Sequence, residues 1–127
     1  MRSLVISIIA LSLILGSWGL FMSHANKSLR NMIQTVKNEV MVEIVQDNWD
    51  DSEKALEQVS ATWYRDRKGY SIFLNARSID DIESSISKAL AYVRMKEKAN
   101  SLGELAYLHH QLIFLLENEM ILLENIL

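Results

Sequence analysis

Four groups of residues in this 127-residue chain are of types that do chemistry. The densest is Trp63-Tyr64-Arg65-Asp66-Arg67-Lys68-Gly69-Tyr70, which packs aromatics and cations into one short stretch. Guanidinium and ammonium groups pair with phosphate oxygens, and amphipathic rings settle at a headgroup layer. Tyr64, Arg65, Arg67, Lys68 and Tyr70 are thus the candidate surface toward lipid or a membrane partner. A core tryptophan followed by cations on a helix's negative end accounts for the same composition.

His109 and His110 are adjacent. On a helix they point about 100° apart and cannot chelate one metal by themselves. His109 falls on an apolar face and His110 toward water. Asp47, Asp50 and Asp51 lack the glycine turn and bidentate glutamate of a calcium loop. They read as helix-capping acids. Glu117, Glu119 and Glu124 read as a solvated helix face rather than a spaced acid/base pair. No serine stands in a GxSxG context. No catalytic residue, metal ligand or cofactor site is assigned.

Any surface near a bilayer needs an element to hold it there. Leu4 to Met22 is nineteen residues without a charge. At about 1.5 Å per residue it crosses a hydrocarbon core of about 30 Å. Ser7, Ser12 and Ser17 can bond back to helix carbonyls, and Trp18 and Phe21 sit where an aromatic belt would lie. Arg2 and Ser23-His24-Ala25 also fit a cleavable signal peptide, but the apolar run exceeds the usual ~7–15 residues and helical periodicity resumes directly after it. The expectation is an uncleaved anchor over residues 1–25 and a helical domain over 26–127. Lys27, Arg30 and Lys37 follow the span, so a count of positive charges does not favour an outer domain. A short amino tail before a long apolar run behaves like an uncleaved signal, and an extracytoplasmic domain is expected.

From Asn26 onward there are 12 Lys/Arg and 16 Asp/Glu, about −4 in all, without the basic stripe that nucleic acid needs. Cysteine is absent, which excludes disulfides, thiolate metal sites and a lipidated cysteine. No proline and only 4 glycines predict a mostly helical chain.

Leu29, Ile33, Val36, Val40 and Ile44 mark one helical face, continuous with the anchor. Asp50 or Asp51 is expected to cap a second helix carrying Leu56, Val59 and Trp63, ending at Gly69, with Tyr70 to Ala76 a linker or a short helical turn. Ser78 with Asp81, and Ser101 with Glu104, resemble capping boxes opening two more helices. The third carries Ile79, Ile82, Ile86, Leu90 and Val93; the fourth carries Leu102, Leu105, His109, Leu112 and Leu116. Asn118 is expected to restart a terminal helix with Met120, Ile121, Leu123, Ile126 and Leu127. A shift of 46 aligns the halves (Ile33 with Ile79, Leu56 with Leu102), as a duplicated hairpin or as ordinary helical periodicity.

The run Asn48 to Leu56, then Val59 and Trp63, resembles the helix-turn-helix step of tetratricopeptide-type repeats, although one unit makes no solenoid. Taken whole, the chain resembles the domain-of-unknown-function family 4363 of small bacterial membrane-anchored proteins. The likeness rests on Arg2-Ser3, the apolar anchor, the Trp49-to-Trp63 segment, Ser78-Ile79-Asp80, and Glu119 with Asn125 and Ile126. The resemblance implies a single-pass anchor, a helical domain and an endospore-forming source. It brings no activity and no functional residues.

The expected fold is all-α: an N-terminal transmembrane helix continuing into an antiparallel bundle of about four helices, two hairpins. The expected function is a single-pass, non-enzymatic accessory protein, with lipid around residues 4–22 and another membrane protein as partners, in an unspecified oligomeric state. A lipid or small-ligand sensor using residues 63–70, and an enzyme of unidentified type, are the alternatives. Helices one to four should run up, down, up and down, bringing the segment at 63–70 and the C-terminal residues to the membrane.

Overall fold

The computed structural model describes residues 1–120, apart from the side chains of Ile72, Phe73, Glu119 and Met120. The tail expected to hold Ile121, Leu123, Ile126 and Leu127, and Glu124 with it, lies outside the described residues. The first helix, α1, runs without a break over Arg2–Val45. It is α-helical over Arg2–Thr35, π-helical over Val36–Val40, and α-helical again over Met41–Val45. Helices α2 (Trp49–Phe73), α3 (Ala76–Arg94) and α4 (Lys98–Phe114) follow, α4 continuing as a π-helix over Leu115–Met120.

The turns are short, so successive helices must run antiparallel, and the cross-helix bonds agree. Ser52 at the start of α2 donates to the carbonyl of Val40 near the end of α1, at 3.3 Å. Ser28, low on α1, donates to Asp66, late in α2, at 2.8 Å. Arg94 at the end of α3 reaches Glu53 and Glu57 at the start of α2. Ser85 of α3 donates to Gln111 of α4 at 2.9 Å. The packing pairs α1 with α2 and α4, and α3 with α2 and α4. The result is an up-down-up-down four-helix bundle.

Its core is one apolar column from Met22 to Ile44 on α1, faced by Leu56, Val59, Trp63 and Tyr70, by Ile79, Ile82, Ile86 and Val93, and by Leu105, Leu108, Leu112 and Leu115. Burial begins inside the expected anchor, at Met22 and Ala25, with Trp18 and Phe21 packed against the column. Below that, the apolar side chains from Leu4 to Leu15 and Leu20 are exposed. Ser7 donates to the carbonyl of Ser3 at 2.8 Å, so its hydroxyl is satisfied within the helix.

Several local expectations need correction. The N-cap of α2 is Asn48, with Asp50 and Asp51 already in the first turn. Asn75 caps α3, its side chain accepting from the Ser78 amide at 2.8 Å, so the Ser78–Asp81 box does not form the cap. Glu97 holds the N-cap position of α4 without a side-chain capping bond, and Ser101 is buried within that helix. Each true start lies two to four residues before the expected one, because helical turns absorb residues that sequence pattern assigns to loops. Helix α2 passes through Gly69 to Phe73 instead of stopping there. Asn118 does not restart a helix: it lies within the π-helix, donating to the Phe114 carbonyl at 3.3 Å. The buried face of α4 is Leu105, Leu108, Leu112 and Leu115; Leu102 and Leu116 are half-buried.

The halves do correspond, in a different register. Asp47 (φ 62°) and Lys96 (φ 56°) take the same left-handed turn, 49 positions apart. The amide following each donates five residues back, Asn48 to Glu43 at 2.8 Å and Glu97 to Tyr92 at 3.0 Å, closing a Schellman turn. At this offset the buried Ser52 matches Ser101, Leu56 matches Leu105, and Ile44 matches Val93. On the other side of the π-turn the offset is 50: Leu29 matches Ile79, Met32 matches Ile82, and Val36 matches Ile86. The π-turn of α1 therefore absorbs one extra residue while keeping the apolar face on the core. The shift of 46 fails because moving one helical turn leaves apolar positions nearly superposed.

Candidate functional site at the foot of the bundle

Trp63, Asp66 and Tyr70 are spaced by three and four, so they share one face of α2. Trp63 and Tyr70 are fully inside, their rings stacked with centroids 5.1 Å apart. Asp66 lies between them and meets α1. Its carboxylate accepts from Ser28 Oγ at 2.8 Å and contacts His24 Nε2 at 3.3 Å. Arg65 adds two bonds at 3.2 Å from the neighbouring position. Burial pushes the Asp66 carboxyl up, but the bonds from Arg65, Ser28 and His24 outweigh it and hold its pKa below the usual value.

One turn further on, Gly69 lies under the ring of Phe21, close enough that a methyl group there would fall 2.5 Å from Cε2. On the α3 side, Glu83 accepts from Trp63 Nε1 at 3.3 Å and from Arg67 Nε. Burial raises the Tyr70 pKa to about 12. Its hydroxyl is buried without a hydrogen-bond partner.

The five residues expected on one surface are therefore dispersed. Tyr64 and Lys68 are exposed, Arg65 is held by Asp66, and Arg67 is held by Glu83. Tyr70, expected at the surface, is 1% exposed and belongs to the core. Sequence reading missed the central acid. An aspartate at helical spacing between two aromatics, inside a basic run, was the available signal. His109 is half-buried beside Leu108, and burial, then Lys37 and His110, lower its pKa. His110 is exposed. Among the described residues no three His, Cys, Asp or Glu side chains are grouped as a metal would require.

These features define a class: a helical bundle whose first wall is the upper part of a helix long and apolar enough to cross a membrane. The chain matches the family described as Domain of unknown function (DUF4363) over residues 20–126, and it belongs to that family. The match opens at Leu20, just before the first buried residue of the bundle, Met22. No curated protein and no solved structure matches the chain.

Proposed function

We propose that this chain is a single-pass, membrane-anchored, non-enzymatic interaction protein, which holds its bundle against the membrane and engages another membrane protein there. One observation carries the reading: the exposed apolar side chains from Leu4 to Leu20 belong to the same unbroken helix that supplies Leu29 to Ile44 to the core. An anchor joined without a linker fixes the bundle's tilt and height over the bilayer. Such rigidity serves docking onto a neighbour in the same membrane better than capture of a diffusing ligand. With the domain outside the cytoplasm, Tyr64 and Lys68 form its membrane-proximal rim toward that neighbour.

Photo-cross-linkers at Tyr64 and at Tyr107, in the full chain in its native membrane, test this. A discrete adduct to one multi-pass protein from position 64, with none from 107, is the expected result. Intact mass on the same material should give the chain with its anchor; a species beginning at Asn26 would overturn the anchored reading.

A further inference from the structure

We propose that the cleft between α3 and α4 binds a small organic ammonium ion, held by the Asp81 carboxylate against the ring of Tyr107. The site goes beyond the docking role and lies on the hairpin that does not carry the apolar span. The cleft measures about 340 Å³, and its walls include Asp81, Ile82, Tyr107, His110, Gln111 and Phe114. The correspondence of the two halves supplies an internal comparison. At the same offsets Asp81 matches Asn31, Ile82 matches Met32, Tyr107 matches Gln58, and Gln111 matches Thr62. Those four line a cleft of about 290 Å³ between α1 and α2. Both hairpins therefore carry the same groove. The second has a carboxylate and an aromatic ring where the first has two neutral amides.

Those two differences define the ligand. Asp81 is exposed and forms no ion pair with any described residue, so the cleft offers an uncompensated negative charge. Tyr107 and Phe114 are half exposed on one stripe of α4, about 10 Å apart along the helix. An aromatic ring attracts a cation to its face, most usefully one that carries alkyl groups. A metal ion needs a set of oxygen or nitrogen ligands. Among the described residues no three His, Cys, Asp or Glu side chains converge here, and Ile82 with the two rings supplies apolar wall instead. Gln111 accepts from Ser85 Oγ through its side-chain oxygen at 2.9 Å, which leaves its NH₂ group to donate to an acceptor on the ligand. A methylated ammonium with a hydroxyl at the other end, as in choline, meets all three groups. The same ammonium chemistry occurs in free solutes and in zwitterionic lipid headgroups. Asn31, the counterpart of Asp81, stands about 13 Å above Met22 along α1. That is beyond a headgroup layer about 5–8 Å thick, which favours a free solute.

The test titrates isotope-labelled choline into the full chain in uncharged maltoside micelles at physiological salt, read by saturation transfer to the choline methyl protons. Saturable binding is expected, displaced by tetramethylammonium and not by an equal concentration of potassium. Asp81→Asn should weaken it about five-fold, and Tyr107→Leu about three-fold. Both side chains are exposed, so the thermal midpoint of each variant should stay that of the unaltered chain. Glu39→Gln, which removes the acid of the first hairpin's cleft, should leave binding unchanged. The same titration in phosphatidylcholine nanodiscs separates the sources. Undiminished binding assigns the cleft to a free solute; loss of binding there alone assigns it to the lipid headgroup and keeps the cleft. No saturable binding in micelles, displacement by potassium, or an equal effect of Asp81→Asn and Glu39→Gln overturns the proposal.

Discussion

The ring of Phe21 occupies the space that a side chain on Gly69 would fill: a Cβ on Gly69 would come within 2.5 Å of Cε2 and 3.1 Å of Cζ. The contact joins the top of the apolar span to the last turns of α2, within three residues of the Asp66 bonds to Ser28 and His24. A glycine inside a helix forfeits about 1 kcal/mol relative to alanine, and here it permits the close approach of two helices.

Gly69→Ala should therefore destabilise the bundle by about 1–2 kcal/mol, because overpacking outweighs the gain in helix propensity. Phe21→Leu in the same chain should restore it. Thermal unfolding in detergent across the double-mutant cycle measures the coupling. Additive effects would mean that the ring moves aside freely.

Trp63→Ala should cost about 3–5 kcal/mol, since the ring is fully buried against Tyr70 and its removal leaves a cavity. An unchanged midpoint of thermal unfolding would contradict its packing role.

Asp66 has a pKa below its unfolded value of 3.8. Its contribution is present above pH 3.8 and is lost as pH falls through the lower, folded value. Asp66→Asn should remove that acid loss and cost about 1–3 kcal/mol at neutral pH. His109, also depressed, acts in a higher window: its contribution is present above 6.5 and is lost as pH falls below that. His109→Gln should flatten stability there while leaving the lower transition intact. Denaturant midpoints between pH 3 and 8 report both.

Tyr70 works in the opposite direction. Its pKa is raised from 10.0 to about 12, so stability present below pH 10 is lost as pH rises from 10 toward 12. Tyr70→Phe should remove that alkaline loss. It should be neutral or slightly stabilising at pH 7, because the hydroxyl it deletes is buried without a partner. A strongly destabilised Tyr70→Phe protein at pH 7 would show that the hydroxyl is bonded after all.

Spin labels at Lys68 and Lys98 measure the placement of the bundle. Lys98 bonds to Asp47 at 2.9 Å, beyond the end of α1, whereas Lys68 adjoins the turn that meets Phe21. The label at 68 should read as headgroup-proximal, and the label at 98 should stand about 30 Å or more further out. Reversed depths would invert the proposed arrangement.

Much of this architecture was legible in the residues alone. The charge-free run from Leu4 to Met22, the absence of proline, and apolar residues at helical spacing determine an apolar helix followed by helices with one buried face each. Leu56, Val59 and Trp63 were identifiable as core for that reason, and so was the alternation of helix direction, which short turns impose. What escaped was whatever depends on a second helix. Gly69 and Ser78 carry boundary chemistry, yet Gly69 lies inside a helix because Phe21 needs the space, and Ser78 donates its amide to the cap at Asn75. The offset between the halves was misplaced by a turn because 3.6-residue periodicity nearly repeats itself every three or four positions. The left-handed turns at Asp47 and Lys96, and the π-turn at Val36–Val40, decide it. Local composition records which residues leave water. Which charges pair, as Asp66 does across to α1 and Arg67 across to α3, is settled by distances between helices far apart in the chain, and only the tertiary structure supplies those.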